Sequence, residues 1–563
     1  MKRINSTVSA SVRLAICAGL AGCMMGAGAD NGAYGEREDK SDDMPWVKHI
    51  VVIYMENHSF DNLYGKWAPV NGEPVNGLDR AGRAHTIQAN ENGTAFKCLL
   101  QNDPQLTSPP LAASCADTNP VSGTPFSSAF VNAPFAIDPY IPNSSLTEDL
   151  VHRFYQEQYQ IDGGRQDRYV TGSNAVGLSM GYYDTTKLPF YQYLHTAGAP
   201  NYILLDNFFQ AAFGGSFLNH QWLVAAETPV FANAPNDASG ADQHSVVDQN
   251  GMPVTTGNGY PLYASPLGTA AKDGALTASC APPAGRPATP TDVVCGDYAV
   301  NTIQPFSQPY APGTADAKRL PPLYTTNIGD ELTQAGVDWA WYSGGWSNAA
   351  GKVGAPGWTN GNNGTSCTDA NVIAGATYPN CPDKLFQFHH QAFNYFGAYA
   401  PGKAARDQHL LDEEEFIAAA SSGSLKPVSF VKPIGEENEH PGYASVAAGS
   451  QHLVELVQAI ESGPNAADTL VIITYDEFGG AWDHVPPPGQ GDTRGVHDRF
   501  GPGTRIPAIM ISRLIPRDTV DHTQYDTTSI LATIERRFGL DPLSGRDAQV
   551  NDLLDLEHPH GPH

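Results

Sequence analysis

Two runs of consecutive apolar residues, Ile50–Met55 (IVVIYM) and Leu470–Tyr475 (LVIITY), show no alternation with polar positions. A strand buried on both faces reads this way, whereas a half-exposed strand alternates. Tyr202–Leu205, Val428–Val431 and Ile506–Ile511 are further strand candidates of the same kind. Between them the period changes. From Ser445 to Ser462, Leu453, Val454, Val457 and Ile460 fall on one helical face, and Gly463-Pro464 supplies a stop. Thr527–Phe538 before Gly539 and Ile328–Ala335 before Gly336 carry similar patterns. Strands alternating with helices predict an α/β fold, a mainly parallel, doubly wound sheet flanked by helices.

Residues 66–140, 230–320 and 345–400 break this pattern. They are rich in Gly, Pro, Asn and Ser and hold six of the eight cysteines. We read them as large loop insertions pinned by disulfides. The cysteines fall as sequence neighbours, which suggests Cys98 with Cys115, Cys280 with Cys295, and Cys367 with Cys381; six cysteines allow fifteen connectivities, so this pairing rests on proximity alone. None has CxxC spacing, which argues against a thiolate zinc site.

The other two cysteines, Cys17 and Cys23, lie in the first thirty residues. There Lys2, Arg3 and Arg13 precede a short apolar segment, Leu14–Ala21, as in an export signal. Leu20-Ala21-Gly22-Cys23 resembles a bacterial lipobox, with Cys23 as the lipid-bearing residue; a small-residue cleavage site at Ala27-Gly28-Ala29 is the alternative. The expected organisation is a signal segment over 1–23, a linker over 24–45, a catalytic domain over 46–545 and a tail over 546–563. Export to the periplasm, to the outer membrane as a lipoprotein, or to the medium follows from that leader. A membrane would be touched only through the lipid anchor.

Composition narrows the partners. With 32 basic and 59 acidic side chains the formal charge is −27, so a polyphosphate surface finds no basic face and nucleic acid is not an expected partner. Hydrophobic residues at 41% and aromatics at 10% supply a large core and exclude a disordered chain.

Candidate chemistry collects where the strands end. The first long run passes directly into Glu56-Asn57-His58-Ser59-Phe60-Asp61, and the second into Asp476-Glu477, followed by Gly479-Gly480-Ala481-Trp482-Asp483-His484. Ligands of open α/β sheets bind at the carboxyl ends of the strands. Glu56, Asn57, Asp476 and Glu477 at one edge form an oxygen-rich set suited to a divalent cation. Residues 213–220 (FGGSFLNH) place Ser216 after two glycines, on a turn able to expose backbone N–H groups to an anion. The glycine two positions after the serine, which a hydrolase elbow requires, is missing. His152, His440 and His484 sit in polar loops and could hold a phosphate oxygen or protonate a leaving group.

The run VVIYMENHSFDNLYG (51–65), together with ITYDEFGGAWDHVPPP (473–488) and EHP (439–441), resembles the bacterial phosphoesterase family, which joins acid phosphatases with phosphocholine-preferring phospholipases C. The likeness extends through 152–170, 335–345, 499–512 and 526–540 in the family's order. It implies an alkaline phosphatase/sulfatase-like fold with one divalent metal at the carboxyl edge of the sheet. By motif, Glu56, Asn57, Asp476 and Glu477 would be metal ligands and Ser216 both ligand and nucleophile. His152, His440 and His484 would line the phosphate site, with Asn57 also touching a phosphate oxygen. His440 or His484 would donate the leaving-group proton.

Phospholipase members usually carry a threonine followed by Pro-Asn-Arg, whereas this chain has Ser216-Phe217-Leu218-Asn219-His220. That difference points to the acid phosphatase branch, hydrolysing small phosphate monoesters through a phosphoserine. A phospholipase C acting on phosphocholine-type diesters is the alternative, and a non-catalytic binding protein the third reading. Calcium, magnesium, manganese and iron all suit the ligand set.

Overall fold

The structure is a computed structural model that describes residues 46–90, 92–100, 112–118, 123–231, 234, 246–247, 271–272 and 298–554. The export signal, Cys23, the linker, Cys280 and Cys295 lie outside the described residues.

Eight strands build the central sheet: β1 (His49–Met55), β2 (Tyr202–Leu205), β3 (Trp339–Ser343), β4 (Leu410–Asp412), β5 (Val428–Lys432), β6 (Thr469–Tyr475), β7 (Ala508–Ile511) and β8 (Thr519–Asp521). Their spatial order is β4-β3-β5-β1-β6-β7-β2-β8. All neighbours pair in parallel except β7, which runs antiparallel to both β6 and β2. The expected mainly parallel sheet is therefore present, with one reversed strand. Both β1 and β6 are buried along almost their whole length, as their unbroken apolar runs require. Burying one aliphatic side chain of this size stabilises the fold by roughly 1.5–3 kcal/mol.

Three strands escaped the periodicity. β3 reads WAWYS, an aromatic segment without the β-branched signature, and β4 and β8 have three residues each. Within the expected strand at 506–511, Pro507 has no N–H to give a ladder, and pairing begins at Ala508.

The helices used below are α1 (Phe154–Ile161), α2 (Ser216–Ala225), α3 (Ile328–Gln334), α4 (Glu413–Ser422), α5 (Val446–Ser462) and α6 (Thr528–Phe538). α3, α5 and α6 match the expected segments to within a residue. Ser445 caps α5 by accepting from the Ala448 N–H at 3.2 Å, and α6 ends at Gly539 in the left-handed region.

Two of the three disulfides suggested by proximity are present, Cys98–Cys115 and Cys367–Cys381. The expected end of the folded body at residue 545 needs correction. Arg546 is buried against Asp526 at 3.0 Å and donates to the Ala211 and Gly501 carbonyls, while Leu553 and Leu554 pack into the core.

Register decides what meets at the carboxyl edge. Met55 lies opposite Tyr475, so the chains leave β1 and β6 at the same level, as Glu56 and Asp476. The Asp476 N–H donates to the Met55 carbonyl at 3.1 Å. On the other side of β1, Ile53 pairs with Val431, which brings Lys432 at the end of β5 to the same edge.

Candidate active site

Glu56, Asp476 and Glu477 are wholly buried, and Asn57 is nearly so. Asn57, Asp476 and Glu477 each have one oxygen or amide committed locally and another atom left over. Asp476 Oδ1 accepts from the Glu477 N–H at 2.8 Å and Glu477 Oε2 from the Gly479 N–H at 2.6 Å. Asn57 Nδ2 donates to His440 Nε2 at 3.1 Å. The remaining atoms, Asp476 Oδ2, Glu477 Oε1 and Asn57 Oδ1, are buried without a hydrogen-bond partner. Buried polar atoms are paired in the great majority of folded proteins, so three unpaired oxygens at one edge are an exception that calls for a partner.

The carboxyls record the same strain. Burial, and next the charge of Glu56, pushes Asp476 well above the ordinary carboxylate range. Burial and then Asp476 do the same to Glu477. Burial raises Glu56 against the opposing charge of Lys432.

Ser216 opens α2, with Gly215 as its N-cap. Its hydroxyl donates to Glu56 Oε2 at 3.2 Å, and the Asp476 carboxylate lies against the same hydroxyl. The serine expected as nucleophile thus stands against two of the four expected ligands, Glu56 and Asp476. Gly214 has φ +96°, and a Cβ there would meet the Phe154 backbone at 2.7 Å, so the turn into the serine accepts only glycine.

Glu157 of α1 holds this turn. Its two oxygens accept from the Gly214 N–H at 2.5 Å, Gln210 Nε2 at 2.9 Å, the Thr504 N–H at 2.7 Å and Thr504 Oγ1 at 2.8 Å. Glu157→Ala orphans two buried backbone donors, each costing about 1–3 kcal/mol. The expected loss of at least ~2 kcal/mol is read from urea unfolding with the wild type alongside.

Three histidines close over the serine. His152 packs on its loop: a Cβ on Gly215 would touch the His152 carbonyl at 3.0 Å and its ring at 3.2 Å. His152 Nδ1 donates to the Leu150 carbonyl at 2.5 Å, which leaves Nε2 facing Asn57 at 3.5 Å and Glu477 Oε1 at 3.6 Å. His440 Nδ1 donates to the Pro441 carbonyl at 2.6 Å. Burial, and then the neighbouring His152, holds His440 well below its ordinary pKa, so its ring is neutral and offers Nε2 as an acceptor. The third, His389, was not anticipated. It shares with Ser216, His152 and His440 the wall of a cavity of about 820 Å³. Apolar side chains such as Leu150, Phe217, Leu218 and Ile303 line much of the remainder, with Arg153 and Lys318 also at the wall.

His484 belongs elsewhere. Its Nδ1 donates to Asp61 Oδ2 at 2.6 Å and its Nε2 faces Asn76 Oδ1 at 3.3 Å; it does not line the cavity. Arg505 completes this buried group, bonding Asp61 at 3.2 Å and Asp483 at 3.1 Å. The expectation that His484 binds phosphate is corrected by this geometry. After Asp476-Glu477 the chain turns sharply at Gly479 and Gly480, both with positive φ, and carries Asp483-His484 back to the one-turn helix Phe60–Leu63. A Cβ on Gly479 would meet the Asn57 carbonyl at 2.1 Å, so the turn is also glycine-dependent. The network ties the two motif loops together. Arg505→Met leaves two buried carboxylates without their cation and is expected to cost about 3–5 kcal/mol, measured by chemical denaturation.

Besides His389, sequence reading missed His220, His390 and Lys432. His220 lies one turn after Ser216 on α2 and donates from Nδ1 to the Ser216 carbonyl at 2.7 Å. His390 Nε2 stands 3.1 Å from Glu56 Oε1, and Lys432 forms an ion pair with that same oxygen. The one available signal was Lys432 itself, a charge at the end of the apolar run VSFV.

A family model described as Phosphoesterase family matches residues 47–541, and this range contains every one of these residues. The chain belongs to that family. Among curated relatives, non-specific phospholipase C6 of Arabidopsis thaliana is 31% identical over 168 residues, 25% of this chain and 32% of that protein. Phospholipase C B of Mycobacterium tuberculosis (strain ATCC 25618 / H37Rv) is 32% identical over 160 residues, 25% of this chain and 30% of that protein. The chain thus spans less than a third of the length of each of these two relatives. A solved alkaline phosphatase superfamily protein from Vibrio parahaemolyticus overlaps 40% of this chain and 50% of its own, at 13% identity and TM-score 0.22. No helix among the described residues is long and apolar enough to cross a membrane.

Proposed function

We propose that the chain is a metal-dependent phosphoric ester hydrolase that cleaves small phosphate monoesters through a phosphoserine at Ser216. The observation that carries this reading is the Ser216 hydroxyl, 3.2 Å from Glu56 Oε2 and against the Asp476 carboxylate, at the sheet edge where Asn57, Asp476 and Glu477 keep unpaired oxygens. Glu56, Asn57, Ser216, Asp476 and Glu477 would hold one divalent ion, and their oxygen character suits calcium, magnesium, manganese or iron. Such an ion, when bound, lowers the pKa of the serine hydroxyl and offsets charge on the phosphoryl oxygens.

The chain's own groups do the rest. Ser216 Oγ attacks phosphorus in line as its proton passes to the acceptor it already faces, Glu56 Oε2. The Oγ–P bond forms while the bond from phosphorus to the leaving oxygen breaks. Asn57, whose amide is oriented by donating one proton to His440 Nε2 at 3.1 Å, and His389 steady the phosphoryl oxygens, and the N-terminus of α2 adds its dipole. His152, flanked by Asp149 and Glu477 at 3.6 Å, is the imidazole placed to give the leaving oxygen a proton. His440, held neutral by burial, is less suited to that step than the sequence suggested. Water then hydrolyses the phosphoserine with His152 acting in reverse, and two inversions give net retention at phosphorus.

The phospholipase C names of the relatives favour a second reading, a phosphocholine-type diesterase, for which the apolar part of the cavity would take the leaving group. The two are separated by assaying the oxidised protein against p-nitrophenyl phosphate and p-nitrophenyl phosphorylcholine in parallel. Faster turnover of the monoester is the expected result, and preference for the diester moves the chain to the second reading. Export and an anchor at Cys23 are part of the proposal.

A further inference from the structure

At Glu56 Oε1, the carboxylate oxygen that does not take the Ser216 hydroxyl, a second group of electron-rich atoms converges. Because His220 donates its Nδ1 proton to the Ser216 carbonyl at 2.7 Å, its Nε2 carries a lone pair, and that atom stands 4.0 Å from Glu56 Oε1. His390 Nε2 is 3.1 Å from the same oxygen, and the two imidazoles stack with centroids 4.8 Å apart. All three side chains are almost completely buried, and both Nε2 atoms lack a hydrogen-bond partner. Two imidazole nitrogens and a carboxylate converging in this way are the donor set of a transition-metal ion.

A cation from the chain is already there. The Lys432 ammonium pairs with Glu56 Oε1 and donates to the Tyr54 carbonyl at 3.1 Å, and the side chain is 1% exposed. We propose that Lys432 is a resident monocation filling a second cation position, formed by Glu56, His220 and His390, so that the centre takes a single divalent ion. Charge supports the assignment: the buried carboxylates Glu56, Asp476 and Glu477 sum to −3, and one divalent ion with one ammonium neutralises them. Two divalent ions beside the ammonium would overshoot the charge of these three buried carboxylates. The inference rests on the metal reading proposed above.

The test counts ions rather than activity. The metal-free full chain is loaded with Mn²⁺ or Zn²⁺, freed of unbound ion by gel filtration and counted by mass spectrometry. The wild type is expected to hold one ion per chain, and His390→Ala to keep it. Lys432→Ala is expected to gain a second Zn²⁺, which Lys432→Ala/His390→Ala loses again. A folded Lys432→Ala that stays at one ion overturns the inference while leaving the metal reading intact. Should that variant not fold, two ions in the wild type, with one lost in His390→Ala, overturn it equally. No ion in the wild type removes the underlying metal reading, and the inference with it.

Discussion

Ser216→Ala is expected to lower kcat by about 10³-fold or more while the protein unfolds at the wild-type denaturant concentration. The change deletes one hydroxyl from a residue 2% exposed at the first position of α2. That position is fixed by the backbone: Glu157 holds Gly214, and Asn219 Nδ2 donates to the Gly215 carbonyl at 3.2 Å. Alanine fits the same helix start, so fold and nucleophile can be separated. The hydroxyl is also lost as a ligand, and the variant's ion affinity is therefore measured with its turnover. A drop in turnover with the ion retained assigns the loss to the missing nucleophile.

The second large effect concerns the carboxylates. Glu56→Ala or Asp476→Ala is expected to weaken ion binding by at least roughly 100-fold and to abolish turnover at ordinary metal concentrations. These side chains differ in what their removal leaves behind. Losing Glu56 strips Lys432 of its partner and Ser216 of its acceptor, so Glu56→Ala should also be destabilised. Losing Asp476 removes one of several mutually repelling buried carboxyls, each raised by burial and by its neighbours. The apo form of Asp476→Ala is thus expected to be at least as stable as apo wild type. Calorimetric ion titration and thermal unfolding of the two variants check both parts.

The distribution of these residues explains what could be read from sequence. Glu56, Asn57, Asp476 and Glu477 were legible because two unbroken apolar runs had to lie in the sheet interior, and whatever followed them had to emerge at one edge. The parallel register of β1 and β6 makes that inference physical. Ser216 starts α2 directly after a loop, and His152 and His440 stand in loops, all on paths that no periodicity reports; the motif resemblance is what picked Ser216 out from the other serines. His484 misled for a related reason: two positive-φ glycines reverse the chain between Glu477 and Asp483, so sequence neighbours part company. His389 and His390 arrive from within the 345–400 insertion, on a short turn at Phe388–His390, with no pattern to distinguish them from other loop histidines. In the sheet, the strands that went unread were short or aromatic. Their pairing is set by neighbours rather than by their own pattern.

In the proposed reaction Ser216 carries the phosphoryl group. Its most direct test is acid quenching of the oxidised protein during turnover of p-nitrophenyl phosphate, followed by peptide mass spectrometry. A phosphate is expected on the peptide containing Ser216, absent in Ser216→Ala and absent without divalent metal. An enzyme that turns over with no phosphate on that peptide, or with phosphate on a histidine instead, contradicts it.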